Sequence, residues 1–372
     1  MSVQVSYKKQ FLIGIFLIIF CMIIIEIGVK IIQFNENDSE TTINEVFLEY
    51  DRQKVDEILS SKSVTYSYDE ILLNEPNQIF PTLNVNSHGF RGPEITLEKP
   101  ENTYRIFMIG GSTMFGASST SDKTTIPGYI QQFLDETDST KKFEVINAGI
   151  NNADSRSEVY LVKKILLEFE PDLLIAYDGW NDARHDWGWD ETIEEQSELA
   201  NIKNSLEISL NGFYMKNIKP YYSTIDFVQN LLSEKDNLKN EEIILDYEFM
   251  NKKAEIWTER WIDICELGEQ KGFKTIIILQ PGLGTGNKPL TDVEEKRLNE
   301  FYNYQRKTLE TLEIFSHSLN NIEENCENAA DLRNAFDGVE EPIFIDLGHM
   351  SDKGNRIIAE NIFPEIIDTV LE

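Results

Sequence analysis

The chain has 372 residues, enough for one large domain with appendages and a sizeable core. Its 65 acidic residues stand against 34 basic ones, a formal charge of −31 that would repel nucleic acid and anionic lipid surfaces, so neither is expected as the main partner. Three cysteines, Cys21, Cys265 and Cys326, fit neither a disulfide framework nor a zinc site of paired cysteines, and whether Cys265 and Cys326 are bridged stays open.

Phe11 to Ile25 is a run of fifteen apolar or small residues, and Glu26 is the only charge before Lys30. Counted to Val29, the segment is about 28 Å long as a helix, close to the hydrocarbon thickness of a bilayer. With no small-residue cleavage site after it, residues 11–33 are expected to be an uncleaved single transmembrane helix in contact with the lipid bilayer. Lys8 and Lys9 precede it, which keeps the amino terminus cytoplasmic and puts everything after Phe34 on the extracytoplasmic side. The organisation expected is an anchor over 1–34, a stalk and lead-in over 35–100, and a main domain over 101–372.

Residues 35–70 are polar and acidic with scattered apolar positions, as in a helical stalk. Phe80 to Pro93 is turn-rich, carrying Pro81, Asn86, Gly89 and Gly92. From Tyr104 onward strand-like and helix-like segments alternate, the pattern of a parallel sheet covered on both faces. Strands are expected at 104–109, 143–148, 173–177, 275–279 and 343–346. Helices are expected at about 125–136, 155–169, 247–271, 291–315 and 352–370, the last capped by Ser351 and Asp352. Ala183 to Asp246 is too long for a simple crossover and reads as an insertion at 183–246 over the mouth of any site.

The first strand runs Arg105-Ile-Phe-Met-Ile109 into Gly110, Gly111 and Ser112. A phosphate-binding loop from Gly111 would need lysine where Ala117 stands, and an α/β-hydrolase elbow would need glycine at Met114. Both patterns fail, and a turn serine is the plain reading of Gly-Gly-Ser alone. The second strand ends at Gly149, and the third runs into Gly179-Trp-Asn-Asp182. Near the carboxyl end, Asp346 precedes His349 by three residues, so acid and base share one loop. Gly282-Leu-Gly-Thr-Gly286 lacks the third glycine of a dinucleotide fingerprint and is expected to be a loop. Asp178, Asp182, His185, Asp186 and Asp190, interleaved with Trp180, Trp187 and Trp189, leave three readings open: a hard-cation site, a wall that stacks on sugar rings, or a solvated edge.

In this order, the blocks around Ser112, Gly149, Gly179-x-Asn181-Asp182 and Asp346-x-x-His349 resemble those of the SGNH, or GDSL-type, hydrolases, over about residue 80 to the carboxyl terminus. Asn86 to Pro93 resembles the segment that leads into such domains, where His88 and Arg91 could line the site. The resemblance implies a three-layer α/β/α sandwich with a five-stranded parallel, flavodoxin-like sheet. It implies Ser112 as nucleophile, His349 as general base and Asp346 as its orienter. The oxyanion hole it implies consists of the N–H groups of Ser112 and Gly149 and the side-chain amide of Asn181, with no cofactor and no metal. Gly111 departs from the pattern, which has aspartate before the serine, and Thr113 stands in place of leucine. The activity implied is cleavage of an ester through a serine acyl-enzyme, on a small ester or an acylated glycan such as an extracellular O-acetylated polysaccharide. Three other readings stay open: an O-acyltransferase of the same fold, a non-catalytic glycan-binding or assembly protein, and a metal-dependent phosphoesterase.

Overall fold

The computed structural model describes residues 46–47, 50–60, 64–69, 71–186 and 245–371. The anchor expected over 11–33 and most of the insertion expected over 183–246 lie outside them. Among the described residues no helix is long and apolar enough to cross a membrane.

Helix α1 (Arg52–Ser60) opens the described chain. An antiparallel hairpin of β1 (Tyr66–Asp69) and β2 (Ile71–Asn74) follows, then the short pair β3 (Gln78–Ile79) and β4 (Asn84–Val85). The central sheet comprises β5 (Thr103–Gly110), β6 (Lys142–Asn147), β7 (Leu173–Asp178), β8 (Lys274–Leu279) and β9 (Asn328–Asp331). These five strands are parallel and lie in the order β6-β5-β7-β8-β9, the doubly wound order of a flavodoxin-like sheet.

Side chains alternate across this sheet with the two-residue period of a strand. Phe107 and Ile109, Leu174 and Ala176, and Ile277 and Leu279 enter one apolar layer. Ile106 and Met108, Leu173 and Ile175, and Ile276 and Ile278 enter the other. Because both of their faces are buried, the central strands β5, β7 and β8 read as largely continuous apolar runs. The helices that close the layers are α2 (Ser112–Phe115), α3 (Ile126–Asp135), α4 (Ser155–Lys164), α5 (Trp180–Arg184), α6 (Tyr247–Lys271), α7 (Asp292–Glu300), α8 (Tyr302–Glu323) and α9 (Asp352–Leu371). Helices α3 and α9 cover one face. Helices α4, α6 and α8 cover the other, where Trp257 stacks on Phe315 with ring centroids 4.9 Å apart.

Several expectations need correcting. Residues 343–346 are not a sheet strand: Phe344 makes only an isolated bridge to Met350, and the fifth strand is β9, whose Asn-Ala-Ala-Asp sequence carries little strand signal. The helix expected at 291–315 is two helices broken at Phe301. Leu298 of α7 packs on one face of the sheet and Leu312 and Phe315 of α8 on the other, which a single straight helix could not do. The helix expected at 155–169 ends at Lys164 and continues as a 3₁₀ turn over Leu166–Phe169. Cys265 and Cys326 form a disulfide that ties α6 to the approach to β9.

The lead-in is knitted into the domain. Arg91 bridges both Val85 and Asn147, joining β4 to the end of β6. Phe47, Val55 and Ile58 bury themselves with Ile345, one residue before Asp346.

Candidate active site

The carboxyl ends of β5, β6 and β7 meet where the strand order reverses, the place where sheets of this kind take their ligands. Strand β5 delivers Ser112 there as the first residue of α2, after Gly111. A Cβ built at Gly111 would sit 2.5 Å from Asn181 Nδ2, so any larger residue, including an aspartate, would push into the asparagine amide. That close approach accounts for glycine at this position.

Ser112, Asp346 and His349 come together. The distance from His349 Nε2 to Ser112 Oγ is 2.7 Å, and from His349 Nδ1 to Asp346 Oδ2 2.7 Å. Asp346 Oδ1 accepts from the backbone N–H groups of His349 (2.7 Å) and Gly348 (2.9 Å). Desolvation by the surrounding loop pushes the half-exposed Asp346 carboxyl up, but the facing His349 and these donors outweigh it and hold the group well below the usual carboxylate range. An ionised carboxylate only accepts, so Nδ1 carries the proton and Nε2 is left to accept from the serine hydroxyl.

The short helix that opens with Ser112 is clamped from behind. Its last carbonyls have no partners within so short a helix. Asn147 Nδ2 donates to Met114 O at 3.0 Å, and Arg91 Nη1 donates to the carbonyls of Phe115 (2.9 Å) and Gly116 (2.6 Å). The same guanidinium donates through Nε to Asp122 (2.8 Å) and through Nη2 to Thr82 O (3.1 Å). Arg91 is therefore a buried brace for α2, not a residue that lines the cleft. His88 also has a structural role, bonding the Ile95 carbonyl at 3.1 Å and meeting Phe169 edge-on.

Asn181 lies beside Gly111 and donates one N–H to Ala153 O at 2.7 Å, and its second amide hydrogen has no acceptor among the described residues. The Ser112 N–H, at the head of α2, has no acceptor among the described residues. Gly149 is placed differently from the expectation. Its N–H donates to Asn147 Oδ1 at 3.0 Å, its carbonyl accepts from Asn74 Nδ2 at 3.1 Å, and a Cβ there would lie 2.3 Å from Phe115 N. Its glycine is required by packing, and its N–H is already spent. On the same loop Asn152 stands in the left-handed region at φ 66°, with an N–H that has no acceptor among the described residues. The Asn151-Asn152 pair just after the strand is the available signal, since asparagine tolerates positive φ.

The acidic and aromatic stretch after β7 divides by role. Trp180 is buried, and a Cβ at Gly282 or Gly348 would press on its ring, so it is a packing wedge between two loops. Asp182 accepts from Ser155 N (2.9 Å) and Ser155 Oγ (2.5 Å), tying α5 to the head of α4. Asp178 accepts from Trp257 Nε1 at 2.8 Å, and Asp186 pairs with Lys253 and Lys307. His185 is half-buried, and Trp187, Trp189 and Asp190 lie outside the described residues. Among the described residues no group of acidic, histidine or cysteine side chains is arranged to hold a metal ion. The Gly282–Gly286 loop supports the site: Leu283 N donates to Leu347 O at 2.9 Å.

Glu158 is 1 % exposed beneath this cluster, and among the described residues neither of its carboxyl oxygens has a hydrogen-bond partner. Burial, followed by the nearby Asp178, Asp182 and Asp154, pushes its carboxyl well up. Burial, then Asp182, likewise pushes Asp178 up.

No protein-family model and no curated protein matches the chain. Among solved structures, an acetyl-xylooligosaccharide esterase mutant from Geobacillus aligns at 16 % identity and a TM-score of 0.42, covering 71 % of this chain and 94 % of that one. The acetyl xylan esterase AlAXEase aligns at 13 % identity and 0.39, covering 71 % and 100 %. LAE5, an α/β hydrolase from the metagenome of Lake Arreo, Spain, aligns at 10 % identity and 0.40, covering 70 % and 94 %. At this level the likeness is one of chain course and says nothing of chemistry.

The buried acid gives a prediction about stability. Burial holds the Glu158 carboxyl above its unfolded range, so across that interval the folded state binds more protons than the unfolded one and stability falls as pH rises above the unfolded carboxyl range. Glu158→Gln should therefore raise Tm by about 2–4 °C at pH 8, the equivalent of about 1 kcal/mol, and by less at pH 5. Scanning calorimetry at the two pH values checks it; an unchanged or lowered Tm at pH 8 contradicts the assignment.

Proposed function

We propose that the chain is an SGNH-type serine esterase, anchored in a membrane by residues 11–33 with its catalytic domain on the extracytoplasmic side. Its proposed substrate class is a short acyl ester, with an O-acetyl group on an extracellular glycan as the natural form. The observation that carries the reading is the continuous chain from Ser112 through His349 to Asp346, with both links at 2.7 Å. In this mechanism Ser112 Oγ attacks the ester carbonyl while His349 Nε2 takes its proton. Asp346 keeps the imidazole in the accepting tautomer and stabilises the cation that forms.

The tetrahedral oxyanion is proposed to lie against the Ser112 N–H and the second N–H of the Asn181 amide. Because the Gly149 N–H is engaged, Asn152 takes its place as the third backbone donor in this reading. The proton on His349 then passes to the departing alcohol, and the same base activates the water that releases the acyl group. The Cys265–Cys326 disulfide supports an oxidising, extracytoplasmic setting.

With an aryl acetate as substrate, Ser112→Ala and His349→Ala should each abolish turnover. Asn181→Ala should lower kcat by about 10²–10³ with KM changed little, because its bond strengthens only as charge develops on oxygen. Full turnover in Ser112→Ala would remove the serine mechanism, and an unchanged kcat in Asn181→Ala would remove the asparagine from the hole.

Orientation has a separate check. Protease added to intact cells should degrade the domain and spare a tag at the amino terminus. A protected domain with a digested tag contradicts the topology.

A further inference from the structure

Asp346 and His349 sit on a segment that no sheet strand among the described residues supports. Residues 343–351 fold back on themselves, with Ile345 N donating to His349 O at 2.8 Å and Ser351 N to Ile343 O at 2.9 Å. A catalytic base so placed still has to be held within a fraction of an ångström of its nucleophile. Beside the Leu283 N–H bond to Leu347 O, side-chain anchorage comes from one turn of α7. Glu294 Oε1 accepts from the backbone N–H groups of both Ile343 (2.9 Å) and Phe344 (3.1 Å), and Arg297 Nη1 donates to Phe344 O at 2.8 Å. Those are the donors and acceptors that a neighbouring strand would have satisfied.

Glu294 is 0 % exposed, an expensive place for a charge that served only its own helix. It forms a capping box with Thr291, but that motif uses Oε2, which accepts from Thr291 N at 3.1 Å and from Lys288 Nζ at 2.7 Å. Oε1 is turned wholly to the catalytic segment. Burial pushes the Glu294 carboxyl up, yet Lys288 and the backbone donors of Ile343, Phe344 and Thr291 outweigh it, so the group is a carboxylate and accepts at both oxygens. Arg297, buried too, faces Asp346, Glu294 and Glu300.

We propose that Glu294 and Arg297 are positioning residues for catalysis: as a side-chain substitute for a missing sheet strand, they set where Asp346 and His349 stand relative to Ser112. The proposal rests on the serine-esterase reading and adds to it a pair that touches neither substrate nor the reacting atoms.

The test uses the full chain in detergent, with aryl acetate turnover, the rate of labelling by a serine-directed fluorophosphonate, and thermal unfolding measured side by side. Glu294→Gln keeps the volume and one acceptor oxygen but turns an amide toward Lys288 and Thr291 N. It should lower kcat by about 10- to 100-fold, leave KM within about twofold, and slow labelling by the same factor, at temperatures where the variant is folded. Arg297→Lys keeps a donor for Phe344 O and should recover at least a third of the activity lost in Arg297→Met. That pair carries the test if Glu294→Gln does not fold. Wild-type kcat and labelling in a folded Glu294→Gln chain, or equal activities in Arg297→Lys and Arg297→Met, overturn the positioning role. A wild-type chain that resists the fluorophosphonate removes the serine-esterase reading instead, so the two failures are told apart.

Discussion

The hydrogen bond between His349 and Ser112 joins residues 237 positions apart, and the rest of the site is arranged to hold its two ends still. At one end, β5 is buried on both faces and carries Ser112 out of the sheet at the point where the strand order reverses. Arg91 and Asn147 occupy the carbonyls at the far end of α2, so the helix that presents the serine is fixed at both ends. At the other end, the loop bearing Asp346 and His349 depends on side chains: Glu294 and Arg297 from α7, and Trp180 wedged against Gly348.

Charge inside the domain follows one rule, that a buried ion persists only where its partners are complete. Arg105 is fully buried and donates to Glu144 and to the carbonyls of Leu97, Phe169 and Thr96, which locks the lead-in under the sheet. Glu294 accepts from four residues, Lys288, Thr291, Ile343 and Phe344, and stays ionised. Glu158 has no such donor among the described residues, and burial raises its carboxyl instead. The acids beneath the cleft are thus not interchangeable: Asp182 organises the loop behind Asn181 through Ser155, Asp178 accepts from Trp257, and burial raises the Glu158 carboxyl.

How much of this was legible in the sequence depended on whether a feature is local. The apolar run at 105–109, its exit through Gly110 and Gly111, and the three-residue spacing of Asp346 and His349 are local, and all stand where they were expected. Ile343 to Asp346 reads as a strand by composition because the segment is buried. Burial alone does not show that its partners are side chains of α7, and β9 went unseen because Asn328 to Asp331 is an edge with little apolar content. Gly149 misled for a related reason. A glycine after a strand signals close approach, but not whether a ligand or, as here, the Phe115 backbone makes the approach. Arg91 and Glu294 are braces that reach Phe115, 24 positions away, and Phe344, 50 positions away, a relation that no spacing rule reports.

The central claim is that Ser112 is a nucleophile made reactive by His349. The most direct measurement is to treat the full chain in detergent with a serine-directed fluorophosphonate and locate the adduct by peptide mapping, beside the His349→Ala variant. A single adduct on Ser112, formed in the wild type and lost in His349→Ala, is the result expected. An adduct on another residue, or equal labelling of Ser112 in both chains, would contradict it.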